Sequence, residues 1–167
     1  MSRREVAMAI FHAAIEAVDP HRAIHHAVQR RGDVLVIAGT IYHLSSYRHV
    51  YVVGTGKATS VMAAALEDLL GDRLTDGVVT VKRIVAPTRR IRQIEAGHPV
   101  PNAAGVAGAR EVLALADAAK AGDLVICLIS GGGSALLVAP AAPITLEEKQ
   151  QLTSLMLRAG CTIHEMN

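Results

Sequence analysis

At 167 residues the chain has the size of one domain and is long enough to bury a real core. Half of it is apolar but only 2% is aromatic, so the core must be built from Ala, Val, Leu and Ile, which favours helices packed closely on a sheet. The net charge is +2, no patch interleaves aromatic and basic residues, and no apolar stretch approaches the roughly 20 residues of a membrane helix, so neither nucleic acid nor a membrane is an expected partner.

Along the chain, Val6, Ile10, Phe11, Ile15 and Val18 recur at helical spacing over residues 3–18, and Asp19-Pro20 ends the stripe. Arg3-Arg4 reads as a solvated helix start rather than an export signal, because Glu5 and Glu16 interrupt the apolar stretch an export signal needs. The chain is therefore expected to be cytoplasmic. A second helix is predicted from 21 to about 31, closed by Gly32. His21 and His25 share its face, yet no carboxylate or cysteine completes a ligand set and HExxH is absent, so no metal site is expected. Residues 33–38 form a short strand, and 39–47 read as loop.

Residues 49–53 (HVYVV) are a strong strand candidate that runs into Gly54-Thr55-Gly56-Lys57 and a helix over 58–70, closed by Gly71. Strand, glycine turn and helix aim N–H groups and the positive end of the helix dipole at an anion. Tyr51 stands where a Walker A loop needs glycine, and Thr59 where the dinucleotide fingerprint needs its third. Lys57 sharpens the reading, because an ammonium at a helix N-terminus opposes the dipole and gains when an anion sits there. The alternative is a lysine pointing into water.

A third strand is predicted at 76–82, then a run with Arg83, Arg89, Arg90 and Arg92 that reads as solvated surface. Residues 92–96 form an edge-like strand opening into Gly97-His98-Pro99-Val100-Pro101-Asn102, where Asn102 is a natural N-cap for a helix through 119. Glu95 and His98 are candidates to meet a polar substrate; the alternative is that the prolines simply shape a turn.

The organising stretch is 125–137. Val125, Ile126, Leu128 and Ile129 lack polar alternation, as a strand buried on both faces of a parallel sheet would, with Cys127 a core hydrophobe too distant from Cys161 for a CxxC motif. Ser130, Gly131, Gly132, Gly133 and Ser134 come next: bare amides flanked by two hydroxyls, at the strand end where open parallel sheets bind ligands. One or two glycines suffice for a tight turn, so a ligand loop is favoured. Leu136 excludes the GxSxG elbow of a hydrolase. An Ala-Pro linker over 139–143 leads to a Thr145/Glu148 capping box and a helix to Arg158. The last residues, 161–167, carry no stop signal and read as an interrupted chain. The expected fold is α/β: a Rossmann-like, mostly parallel sheet with helices on both faces, strands near 33–38, 49–53, 76–82 and 123–130, and both glycine loops at one sheet edge.

Four stretches in this order resemble the glycerate 2-kinase family, often labelled hydroxypyruvate reductase. They are Val53-Gly54-Thr55-Gly56-Lys57-Ala58, Glu95-Ala96-Gly97-His98-Pro99-Val100-Pro101-Asn102, Ile129-Ser130-Gly131-Gly132-Gly133-Ser134-Ala135-Leu136 and Ile163-His164-Glu165-Met166-Asn167. The resemblance covers nearly all of this chain but only the N-terminal part of the family's longer one, whose further motifs beyond Asn167 and whose second domain are missing here. Asn102 stands where many relatives have aspartate. The resemblance implies phosphorylation of D-glycerate to 2-phosphoglycerate with ATP and Mg2+ in a cleft between two α/β domains. It makes Lys57 catalytic, neutralising the transferring phosphate. Gly54, Gly56 and the Ser130–Ser134 loop would bind the nucleotide phosphates, with Glu95, His98 and Asn102 on the substrate side. A nicotinamide-dependent reductase is the other enzymatic reading, and a non-catalytic anion-binding fragment the third. The fragment alone is expected to be catalytically silent and to self-associate through the face left by the missing domain.

Overall fold

A computed structural model describes residues 1–166; Asn167, the last residue of the fourth family stretch, lies outside the described residues. The core is a four-stranded parallel sheet made of β4 (Val50–Gly56), β5 (Asp76–Val81), β6 (Ile91–Glu95) and β7 (Leu124–Ile129), in the order β6-β5-β4-β7. The chain winds outward from β4 through β5 to β6, then returns to set β7 on the other flank of β4. The strand order therefore reverses between β4 and β7, which is where the carboxyl ends of an open sheet leave a crevice.

Alternation within the strands sends side chains to two cores. Val50 and Val52 of β4, with Val79 and Val81 of β5, face helix α3 (Thr59–Leu70), whose Leu66 and Leu70 are fully buried. Burial of one such leucine contributes about 2 kcal/mol. Val53 and Val78 point the other way, onto Val112 of helix α4 (Ala103–Ala118). Helices thus cover both faces. Asn102 caps α4 as expected, its Oδ1 accepting from the Gly105 amide at 3.0 Å.

The N-terminal third departs from expectation. The helix predicted from 21 to 31 is α2 (Pro20–Ala27), which stops four residues early because Val28–Arg31 forms strand β1. The strand at 33–38 exists as β2 (Val34–Ile37) but does not join the parallel sheet. It pairs antiparallel with β1 and with β3 (Thr40–His43), which occupies the predicted loop. This meander folds locally about Gly32 and Gly39, both at positive φ, and buries Leu35 against the α3 core. Short antiparallel pairs close through tight turns, whereas a parallel partner needs a long crossover. Helix α1 (Arg3–Ala17) forms with its capping box at Ser2 and Glu5, but it has no buried residue. Its apolar stripe is exposed, Phe11 and Ile15 each by more than half.

Strand β7 is an edge strand, not a doubly buried one. Ile129 is 71% exposed, and Cys127, expected in the core, is exposed as well. The reason is topological: β7 has β4 on one side only, while α4 packs on β5, β4 and β6. The arginine run after β5 is also more than solvated surface. Its backbone wraps the buried carboxylate of Glu67 on α3, which accepts from the amides of Arg89 (2.6 Å), Arg90 (3.1 Å) and Ile91 (3.0 Å). Beyond the sheet, α5 (Gly133–Leu136) is one turn long, α6 (Leu146–Arg158) carries the Thr145/Glu148 capping box, and α7 (Ile163–Met166) comes last.

Candidate functional site

The two glycine stretches meet over the β4–β7 crevice and are bonded to each other. The Lys57 amide donates to the Gly131 carbonyl at 3.0 Å, and the Ser130 amide donates to the Thr55 carbonyl at 3.0 Å. Ser130 Oγ accepts from the Ala58 amide (3.1 Å) and lies 3.1 Å from Thr59 Oγ1. Ser130 is thus a staple between the loops. The expectation that both loops present unpaired amides is corrected on the first loop: the Lys57 and Ala58 N–H groups are taken by the second.

Gly54 and Gly56 lie inside β4 rather than in a turn. A Cβ on Gly54 would overlap the Leu128 backbone, and one on Gly56, at φ +133°, would overlap Ser130. These glycines let the β7 loop close onto β4. Their close approach is to protein, and the shared loop is what they hold. Beneath it, buried Thr80 donates to Thr55 Oγ1 at 2.8 Å, bracing the strand ends from inside the sheet.

The triple-glycine stretch keeps its amides available. Among the described residues, the N–H groups of Gly131, Gly132 and Gly133 have no hydrogen-bond acceptor. Gly132 sits at φ +92°, and a Cβ there would fall 2.8 Å from His98 Nε2 and 3.3 Å from Lys57 Cε. Lys57, Gly132 and His98 therefore meet at one point, as two loops and the proline turn converge on the carboxyl edge of the sheet. Ser134, in α5, lines two cavities behind the loop.

Glu95 and Asn102 reach the same edge but are occupied. Glu95 Oε1 accepts from the Ile84 amide at 2.7 Å, and Asn102 Oδ1 accepts from both Gly97 (2.9 Å) and Gly105 (3.0 Å). Asn102 thereby shapes the turn that presents His98. Sequence reasoning missed Lys82, the first residue after β5, although its place at a strand's carboxyl end was a legible signal. It adds positive potential: burial first, then Lys57 and Lys82, hold the His98 imidazole below its ordinary value of 6.5. A neutral imidazole among cations can accept or donate one hydrogen bond without opposing them. In an NMR titration His98 is expected to deprotonate below 6.5, and inorganic phosphate is expected to raise that midpoint by screening the lysines. A midpoint that phosphate does not move would separate His98 from the anion.

Exposed ammonium, three free amides and a neutral imidazole form a set suited to a phosphate-sized anion. For a divalent metal the set is poor: among the described residues no three His, Cys, Asp or Glu side chains gather. No helix among them is long and apolar enough to cross a membrane.

Fold and site together define a class: an α/β domain whose paired glycine loops close over the switch point of a parallel sheet. More particularly, the chain belongs to the family described as a domain of unknown function (DUF4147), which matches residues 6–167. It is 40% identical to a glycerate 2-kinase of Pyrococcus horikoshii over 168 residues, covering all of this chain and 37% of that protein. It is 37% identical to the glycerate kinase of Homo sapiens, again over its whole length and 35% of that protein. A putative hydroxypyruvate reductase of Agrobacterium vitis is 47% identical over 117 residues, 70% of this chain and 30% of that protein. Among solved structures, a Thermotoga maritima glycerate kinase superposes with a TM-score of 0.74 at 34% identity, over 97% of this chain and 36% of that one. The chain therefore spans little more than a third of the length of the curated relatives it matches.

Proposed function

We propose that this domain supplies one half of the site of a glycerate 2-kinase, which transfers the γ-phosphoryl group of ATP to the 2-hydroxyl of D-glycerate. The observation that carries the reading is the meeting of Lys57, the free amides of Gly131–133 and His98 at the β4–β7 crevice. Phosphoryl transfer needs placed positive charge on the equatorial oxygens more than covalent chemistry. Lys57 supplies that charge from a backbone locked by the Gly131 carbonyl. The glycine amides orient the transferring group, and neutral His98, beside Gly132, would meet the acceptor hydroxyl. Mg2+ fits only as the nucleotide's own companion, since the described residues offer it no ligand cluster. The names of the Pyrococcus and human relatives support the same activity.

The reductase reading draws on the name of the Agrobacterium relative. Against it stands Thr59, fully buried at the place of the third fingerprint glycine, with its hydroxyl on Ser130. The deciding experiment incubates a full-length protein carrying this domain with ATP, Mg2+ and D-glycerate, and separately with hydroxypyruvate and a reduced nicotinamide. Formation of 2-phosphoglycerate is expected; nicotinamide oxidation without phosphate transfer would overturn the proposal. The 167-residue chain is expected to bind phosphate but not to turn over, because the cleft that excludes water takes more than these loops.

A further inference from the structure

Behind the glycine loop lies a second feature that neither the motifs nor the relatives' names assign. A cavity of about 250 Å3 opens between the proline turn, the loop and helix α6, with His98, Gly132, Pro101, Thr153, Leu157 and Lys149 on its wall. Its size suits a molecule of a few carbons. Gly132 links the two features: it lies on the cavity wall, and a Cβ on it would fall 2.8 Å from His98 Nε2 and 3.3 Å from Lys57 Cε.

Lys149 is the one cationic side chain among the described residues on that wall. It is half-buried, and among the described residues its ammonium has no hydrogen-bond or ion-pair partner. The adjacent Glu148 turns its carboxylate back to the helix start, Oε2 accepting from the Thr145 amide at 2.8 Å. Lys149 also sits in the opening turns of α6, where a cation opposes the helix dipole. Helix and cavity are held in register by Gln150, whose Nε2 donates to the Pro101 carbonyl at 2.8 Å. A half-buried, unpaired ammonium at an unfavourable helix position is stabilised when an anion enters the cavity.

We infer that Lys149 is the carboxylate anchor of the acceptor: it pairs with the carboxylate of a short 2-hydroxy acid seated in this cavity, with the hydroxyl end turned toward Gly132 and Lys57. The identity of that acid as glycerate rests on the kinase reading; the anchor itself does not. Two cations then divide the work, Lys57 beside Gly132 for phosphate and Lys149 on the cavity wall for carboxylate. Phosphate and carboxylate would be held apart with the reacting hydroxyl between them.

Calorimetry on a full-length protein carrying this domain tests this with D-glycerate, L-lactate and glycerol. Both acids are expected to bind, and glycerol, which lacks the carboxylate, is not. Lys149→Ala is expected to weaken both acids about tenfold or more, the loss of one charge-assisted contact, while Lys149→Arg retains most of the affinity. Inorganic phosphate binding is expected to be unchanged in both variants. Acid affinity that survives Lys149→Ala intact, or a wild-type full-length protein that binds neither acid, overturns the anchor. Lactate bound through Lys149 with D-glycerate rejected would keep the anchor and overturn the glycerate reading.

Discussion

Lys57→Met, introduced into a full-length protein carrying this domain, is expected to lower kcat for phosphoryl transfer by about a hundredfold or more while changing KM far less. The lysine comes directly after β4 with its side chain exposed and its amide bonded to Gly131, and among the described residues no hydrogen bond or ion pair uses the ammonium. What the ammonium does is stand beside Gly132, at the loop whose three amides are free. Charge on the equatorial oxygens is spread most widely in the transition state, so a cation there is worth more to turnover than to ground-state binding. The same variant should raise the His98 midpoint, since Lys57 is one of the charges that lower it. Steady-state kinetics with an NMR titration checks both, and unchanged turnover would return Lys57 to the status of a solvated surface residue.

The second large effect concerns stability. Glu67→Ala is expected to destabilise the domain by about 3 kcal/mol or more. Glu67 is 4% exposed and its carboxylate accepts from three consecutive backbone amides, which alanine would leave unpaired, that of Ile91 in a buried setting. Burial pushes the Glu67 carboxyl up, but the amides of Ile91, Arg89 and Arg90, with the Arg89 guanidinium, outweigh it and hold the group below its ordinary 4.5. The pH dependence comes from that sign. A carboxyl whose folded value is depressed contributes its full stability above the unfolded value and loses it as pH falls through the folded one. Urea unfolding at neutral pH and below 4.5 should show this loss in the native chain and a flatter profile in Glu67→Gln. A Gln variant as acid-labile as the native chain would assign the sensitivity elsewhere.

Local chemistry was legible in the residues. Thr145 caps its helix and Asn102 caps α4, because a cap is a matter of three or four neighbouring positions. The strands at β4, β5 and β7 were visible as β-branched runs and β6 as an edge-like strand, with the glycine stretches at the end of β4 and after β7. Their convergence on one edge came from the rule that parallel strands present their carboxyl ends together. The four family stretches, read in order, added the chemistry to expect there.

What needed tertiary structure was everything set by non-local partners. Residues 125–129 are apolar without alternation, which a buried central strand and an edge strand share; only the order β6-β5-β4-β7 leaves Ile129 exposed. Residues 28–31 and 40–43 carry no strong strand signal, and it is their pairing across β2 that makes them strands. Ser130 carries no local mark of the second part it plays, a staple whose hydroxyl accepts from the Ala58 amide across the loops. The arginine run looked solvated because the carboxylate that organises it, Glu67, lies on α3, 22 residues before Arg89 and across strand β5. Lys149 was silent for the same reason: a lysine on an amphipathic helix has no local mark of function. Only the fold, by laying α6 against the proline turn, puts it on the same wall as His98 and Gly132.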